Sequence, residues 1–253
     1  MAKQTANSAG RYLYAVIAGT DERMYGPVGI DGGAVYTLSD GRVAAVVSDV
    51  PNVRIRPERR NIAAHQEVLS RLMTETTPLP MSFGIIADGA KAVLRILSRN
   101  RKAFLQQLGY VADKVEMGLR VTWEVPNIIE YFVLTHAELR AARDRFLGGR
   151  REPSQEDRIE LGRTFDRILT EDRETHAEKV EEVLAGCCAA IKRNRPRNER
   201  EAVNLACLVS RGDSAEFEGA VFNAAKLFDN SFAFDYNGPW APHNFVDIDL
   251  KEQ

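Results

Sequence analysis

KVEMGLRVTW, residues 114–123, places Val115, Met117, Leu119, Val121 and Trp123 at every second position. Side chains of a strand alternate between its two faces, so this spacing predicts a strand with one buried and one polar face. Pro126 follows and marks a boundary in the chain. Reading back from this strand, Ala90, Val93, Leu94, Leu97, Phe104, Leu105 and Leu108 form a helical stripe, with Asp88 placed as its N-cap. LPMSFGII at 79–86 reads as a strand. A helix from Pro57 to about Met73 carries Ile62, His65, Leu69 and Leu72 on its inner face, and Pro78 and Pro80 end it. Val35–Leu38 and Val43–Ser48 flank Ser39-Asp40-Gly41-Arg42, a hairpin signal, because glycine tolerates the positive φ of a tight turn. YLYAVIA at 12–18 reads as a buried strand. The first half is thus β-β-β-α-β-α-β, one mixed sheet with helices on at least one face. It predicts an N-terminal α+β domain over 11–125, behind a polar, disordered arm at 1–10.

Forward of Pro126, residues 127–134 are short and apolar, and Thr135 with Glu138 has the spacing of a capping box for a helix to Phe146. Gly148-Gly149 stops it. Pro153 and Ser154 open a long charged helix to about Ile191, with a narrow stripe from Leu161 and Phe165 through His176 and Val180 to Cys187 and Ile191. A strand is expected within Glu201–Ser210, a helix with Phe217, Val221 and Ala224 inward, and a strand over Ser231–Tyr236. These elements predict a C-terminal α+β domain over 126–236. The tail, 237–253, carries Pro239 and Pro242 and is expected to be extended, docking back on the protein through Trp240 and Phe245. The fold class is therefore α+β: two domains, each a small mixed or antiparallel sheet with packed helices, plus an extended tail.

Composition excludes more than it assigns. The 253 residues are 44% hydrophobic and 28% charged, with a formal net charge of −2, so no global charge calls for nucleic acid or an anionic membrane. The first ten residues lack the apolar core of a secretory signal, and apolar runs such as Val43–Val47 are too short to span a bilayer. The expectation is a cytoplasmic protein. Cys187, Cys188 and Cys207 have no CxxC spacing and no histidine at zinc-ligand distance in sequence, so they read as reduced thiols filling apolar space. No Walker loop, GxSxG, GxGxxG or HExxH occurs. His65 lies on an apolar helix face and reads as a hydrogen-bonded core histidine. Asp113 and Glu116 read as a solvated strand end. No catalytic residue, metal site or cofactor is expected.

Two basic clusters remain: Arg54, Arg56, Arg59 and Arg60, and Lys192, Arg193, Arg195, Arg197 and Arg200. Each reads as a solvated loop beside acidic helices, or as a patch for an anion or an acidic partner.

RYLYAVIAG near the N-terminus, His65 and Val68 in the first helix, LPMSFG at 79–84, KVEMGLRVTW at 114–123, NLACLV at 204–209 and GPWAPHNFV at 238–246 resemble, in order and spacing, the gas vesicle protein F/L (GvpF/GvpL) family. The chain departs from the family pattern at Ser82, Met117, Ala241 and His243, where many members carry Arg, Trp, Pro and Tyr. The resemblance implies a two-domain α+β accessory protein without known catalysis. It also implies as partners the small hydrophobic main shell protein and other gas vesicle accessory proteins, and a role as assembly factor or minor component. A shell that excludes liquid water needs subunits with a large apolar face, which a soluble partner could cover before assembly. The rival reading is a nucleotide- or nucleic-acid-binding α+β module.

Overall fold

The computed structural model describes residues 9–19, 21–147 and 154–248. The chain groups into two compact units. One runs to Glu116 and takes up the chain again from Gly238; the other is Met117–Asn237. The change of unit falls ahead of Pro126.

In the first unit, β1 (Ala9–Ala18), β2 (Met24–Gly26), β3 (Val35–Ser39) and β4 (Val43–Pro51) precede α1 (Arg59–Glu75). Then come β5 (Leu79–Pro80), β6 (Ile86–Ala87) and α2 (Gly89–Val111). The sheet order is β2-β3-β4-β1-β5, with β6 also on β1. β1 pairs antiparallel with β4, β5 and β6, and β3 antiparallel with β4 and β2. Residues Tyr12 to Ile17 and Val43 to Val47 are buried without a break, as expected of central strands covered on both faces. The hairpin between β3 and β4 turns at Gly41, φ +90°, and Asp40 Oδ1 accepts from the N–H groups of Arg42 and Val43. Burial alone would push the Asp40 carboxyl up; the Arg101 guanidinium, 2.8 Å away on α2, and those two N–H groups hold it below its ordinary value. α2 packs across β1, β4 and β3 and buries Val93, Leu97, Phe104 and Leu108.

The second unit contains most of β7 (Lys114–Trp123), then α3 (Ile128–Thr135), α4 (Ala137–Leu147), α5 (Gln155–Leu184), β8 (Ala190–Arg193), β9 (Glu201–Ser210), α6 (Ser214–Ala225) and most of β10 (Phe232–Trp240). Its four-stranded sheet has the order β10-β7-β9-β8, with β8 and β9 antiparallel. The alternating strand has its expected bounds, and all five of its apolar positions are buried. It joins the second sheet, however, and not the first. Alternation specifies which face is buried; the partners are chosen by β9 and β10, far downstream.

Other expectations also shift. The expected strand 79–86 is two short bridges around a turn at Gly84, φ +92°. The long helix opens after Ser154 as read, and Ser154 Oγ caps it by accepting from Asp157 N while the Asp157 carboxylate accepts from Ser154 N. It ends at Leu184, though, and Ile191 lies on β8. Thr135 does not cap α4; its hydroxyl donates to Tyr131 O, and Asn127 caps α3 by accepting from Ile129 and Glu130. β1 begins at Ala9, inside the segment read as an arm, whose first eight residues lie outside the described ones, as do Gly148-Gly149. The last strand continues to Trp240 and a 3-10 turn spans His243–Phe245, so the tail is not wholly extended.

Candidate interaction surfaces

The most ordered polar constellation lies in the first unit. Tyr12 OH is 2.9 Å from His65 Nδ1 and accepts from Gly84 N–H at 3.1 Å. Gly84 supplies one donor to the tyrosine oxygen, and the direction of the Tyr12–Nδ1 bond is set by the imidazole tautomer. Tyr14 OH bonds Ser48 Oγ at 2.8 Å and accepts from Ile30 N–H at 2.8 Å. The Tyr12, Tyr14 and Phe83 rings surround the imidazole at centroid distances of 5.6–6.0 Å. His65 is therefore the hydrogen-bonded core histidine that its helix face predicts, a packing group enclosed by aromatic rings.

Burial, and secondarily the nearby His243, pull the His65 pKa down to about 4, against an opposing bond with the Met81 backbone. His243 is itself lowered by burial. A histidine with a depressed folded pKa contributes stability that is complete above its unfolded value and lost as the pH falls. Between pH 6.5 and 4 the unfolded chain takes up a proton the folded chain refuses, which costs about 3 kcal/mol for His65 alone. Urea unfolding midpoints should therefore fall steeply across that window, and His65→Gln should flatten the fall. An equally steep fall in the variant would contradict this account.

The tail docks in the same unit. Phe245 is 3% exposed and Ala241 is buried. Asn244 donates its backbone N–H to Glu116 Oε2 at 2.8 Å and its side-chain amide to Glu116 Oε1 at 2.6 Å. Glu116, read from sequence as a solvated strand end, is 7% exposed. A carboxylate that accepts two aligned donors can be buried where a free one could not. Its position on β7 gave no hint of this, since its partner is at the far end of the chain. Of the two expected anchors, only Phe245 is buried. Trp240 keeps 45% of its surface exposed, because it ends an edge strand.

The arginine clusters separate. Arg59 and Arg60 open α1, where both are exposed, and Arg60 pairs with Glu58 at 3.0 Å. In the second cluster, Arg193 pairs with Glu181 and Glu174, while Arg200 donates to the carbonyls of Val125 and Pro126. The three cysteines are free, with Cys207 buried and the adjacent pair half-buried. Burial, and then the adjacent Cys188, push the Cys187 thiol up to about 12. Among the described residues no group of three or more histidine, cysteine or carboxylate side chains could hold a metal ion. Among the described residues no helix is long and apolar enough to cross a membrane.

Two strand-edged α+β units whose buried polar groups are used in packing define an α+β protein of two units. The model of the family described as gas vesicle synthesis protein GvpL/GvpF matches residues 10–247, and the chain belongs to that family. Gas vesicle protein F of Streptomyces sp. (strain CB03234) is 28% identical, over 93% of this chain and 99% of that relative. Gas vesicle protein L of the same organism is also 28% identical, over 94% and 93%. In structure, the chain is similar to the GvpF crystal structure from Anabaena sp. PCC7120, with a TM-score of 0.81, 22% identity and coverage of 96% and 100%. For GvpF from Microcystis aeruginosa the TM-score is 0.78, with 19% identity and coverage of 94% and 99%.

Proposed function

We propose that the protein serves gas vesicle assembly in the cytoplasm, without catalysis, by binding the hydrophobic main shell protein. Family membership across residues 10–247 carries this reading. Physical support comes from the sheet ends. β2, with Met24 70% exposed, and β10, which ends at the half-exposed Trp240, are terminal strands. Terminal strands offer main-chain donors and acceptors to an incoming strand, and adjacent apolar side chains cover the apolar face beside it. Further exposed apolar side chains, Phe222 and Leu227 on and just after α6, Ile129 and Leu134 on α3, add area of the same kind. The buried His65 takes no part, since it is enclosed inside the first unit.

Denatured shell protein diluted from urea into buffer tests this by light scattering. An equimolar amount of this protein should suppress the scattering, and serum albumin should not. Equal scattering in the two mixtures would count against the reading.

A further inference from the structure

The second unit holds a groove of about 410 Å³ between α5 and the β8–β9 hairpin. Its floor is apolar, formed by Ala177, Val203 and Leu205, all buried. Its rim carries Arg173, Arg193 and Arg195, whose charges are compensated very differently. Arg193 meets two carboxylates, Glu181 and Glu174. Arg173 donates only to main-chain carbonyls, from Nε to Glu201 O at 3.0 Å and from Nη2 to Asn198 O at 2.9 Å and Glu199 O at 3.2 Å. Neutral carbonyls satisfy its donors; burial outweighs the attraction of Asp166, Glu201 and Glu199, none of which pairs with it directly, and holds its pKa below the ordinary value. The neighbouring Glu201 carboxylate is buried and already accepts from Arg197 N–H at 2.5 Å and Asn204 Nδ2 at 3.2 Å. Arg195 follows Arg193 by two residues, is exposed, and forms no ion pair among the described residues.

Guanidinium groups beside an apolar floor suit a chain in which carboxylates alternate with aliphatic side chains, since arginine holds carboxylates in a planar fork. β8 is also a terminal strand, so an extended chain can lie along it. Nucleic acid fits less well: among the described residues no aromatic ring lines the groove for bases to stack on. We propose that this groove receives an extended acidic segment of a partner protein, with carboxylates on Arg173 and Arg195 and aliphatic side chains on Ala177, Val203 and Leu205. This contact is separate from the apolar one proposed for the shell protein, and its partner is defined by charge.

Fluorescence anisotropy of a labelled peptide of alternating aspartate and leucine, titrated with the full chain, tests the assignment. Saturable binding is expected, weakened about tenfold or more when asparagine replaces aspartate, the scale of one lost charge-assisted contact. Arg195→Glu should weaken it as much with the melting temperature unchanged. Thr170→Glu, which places a negative charge on the α5 wall, should do the same and serves if the first variant fails to fold. Absence of saturable binding, equal affinity for the asparagine peptide, no effect of either variant that folds, or tighter binding of single-stranded DNA would overturn the proposal.

Discussion

Trp123→Ala is expected to lower the stability of the second unit by about 3–5 kcal/mol, the range for a large aromatic removed from a core. Trp123 is 1% exposed at the end of β7. Its ring meets Phe132 at 5.2 Å and 74°, His176 at 6.0 Å and Phe232 at 6.1 Å. These rings come from α3, α5 and β10, so one side chain ties three elements to the sheet. The indole N–H is buried without a hydrogen-bond partner among the described residues. Trp123→Phe removes that donor and leaves a smaller cavity, so it should cost well under the alanine figure. Amide hydrogen exchange along β9 reports the unit's own opening free energy. A loss below about 1 kcal/mol for alanine would contradict this packing account.

Phe245→Ala should cost the first unit about 3–5 kcal/mol, and Trp240→Ala about 1 kcal/mol or less. The difference follows from burial, 3% exposure against 45%. Phe245 sits one residue from Asn244, whose two bonds to Glu116 fix the tail in place. Removing the ring releases the tail and strands the Glu116 carboxylate in a poorly solvated site, which adds to the cavity cost. Glu116→Ala should therefore destabilise the same unit in the same direction. Trp240 fluorescence follows the phenylalanine and glutamate variants, and circular dichroism follows the tryptophan one. Equal costs for the two aromatic substitutions would show that the tail is held otherwise.

Local pattern was legible wherever the signal is local. The period-two strand at 114–123, the start of the long helix at Ser154 and the hairpin at Asp40-Gly41 all stand where short-range spacing places them. What could not be read depends on distant partners. β7 belongs to the second sheet because β9 and β10 lie beside it, and no spacing within 114–123 encodes them. The stripe Val180, Val183, Cys187 and Ile191 continues smoothly in sequence, yet Ile191 faces Cys207 in an antiparallel pair, and that long-range pairing ends the helix early. Glu116 looked solvated because its partner Asn244 is far along the chain. Trp240 looked like an anchor because size predicts burial only when a surface is there to receive it. The role of His65 was legible, because an apolar helix face with one histidine leaves little else for that ring to do. The groove at Arg173 and Arg195 was visible in part as a run of basic residues. Which of them stay uncompensated depends on α5 carboxylates that the run itself does not show.

The central claim is that this member of the GvpL/GvpF family binds the main shell protein. Co-expression of the two, with the shell protein also expressed alone, tests it most directly. The account predicts a larger soluble fraction of shell protein and co-purification of the pair. Unchanged shell-protein solubility together with no co-purification would contradict it.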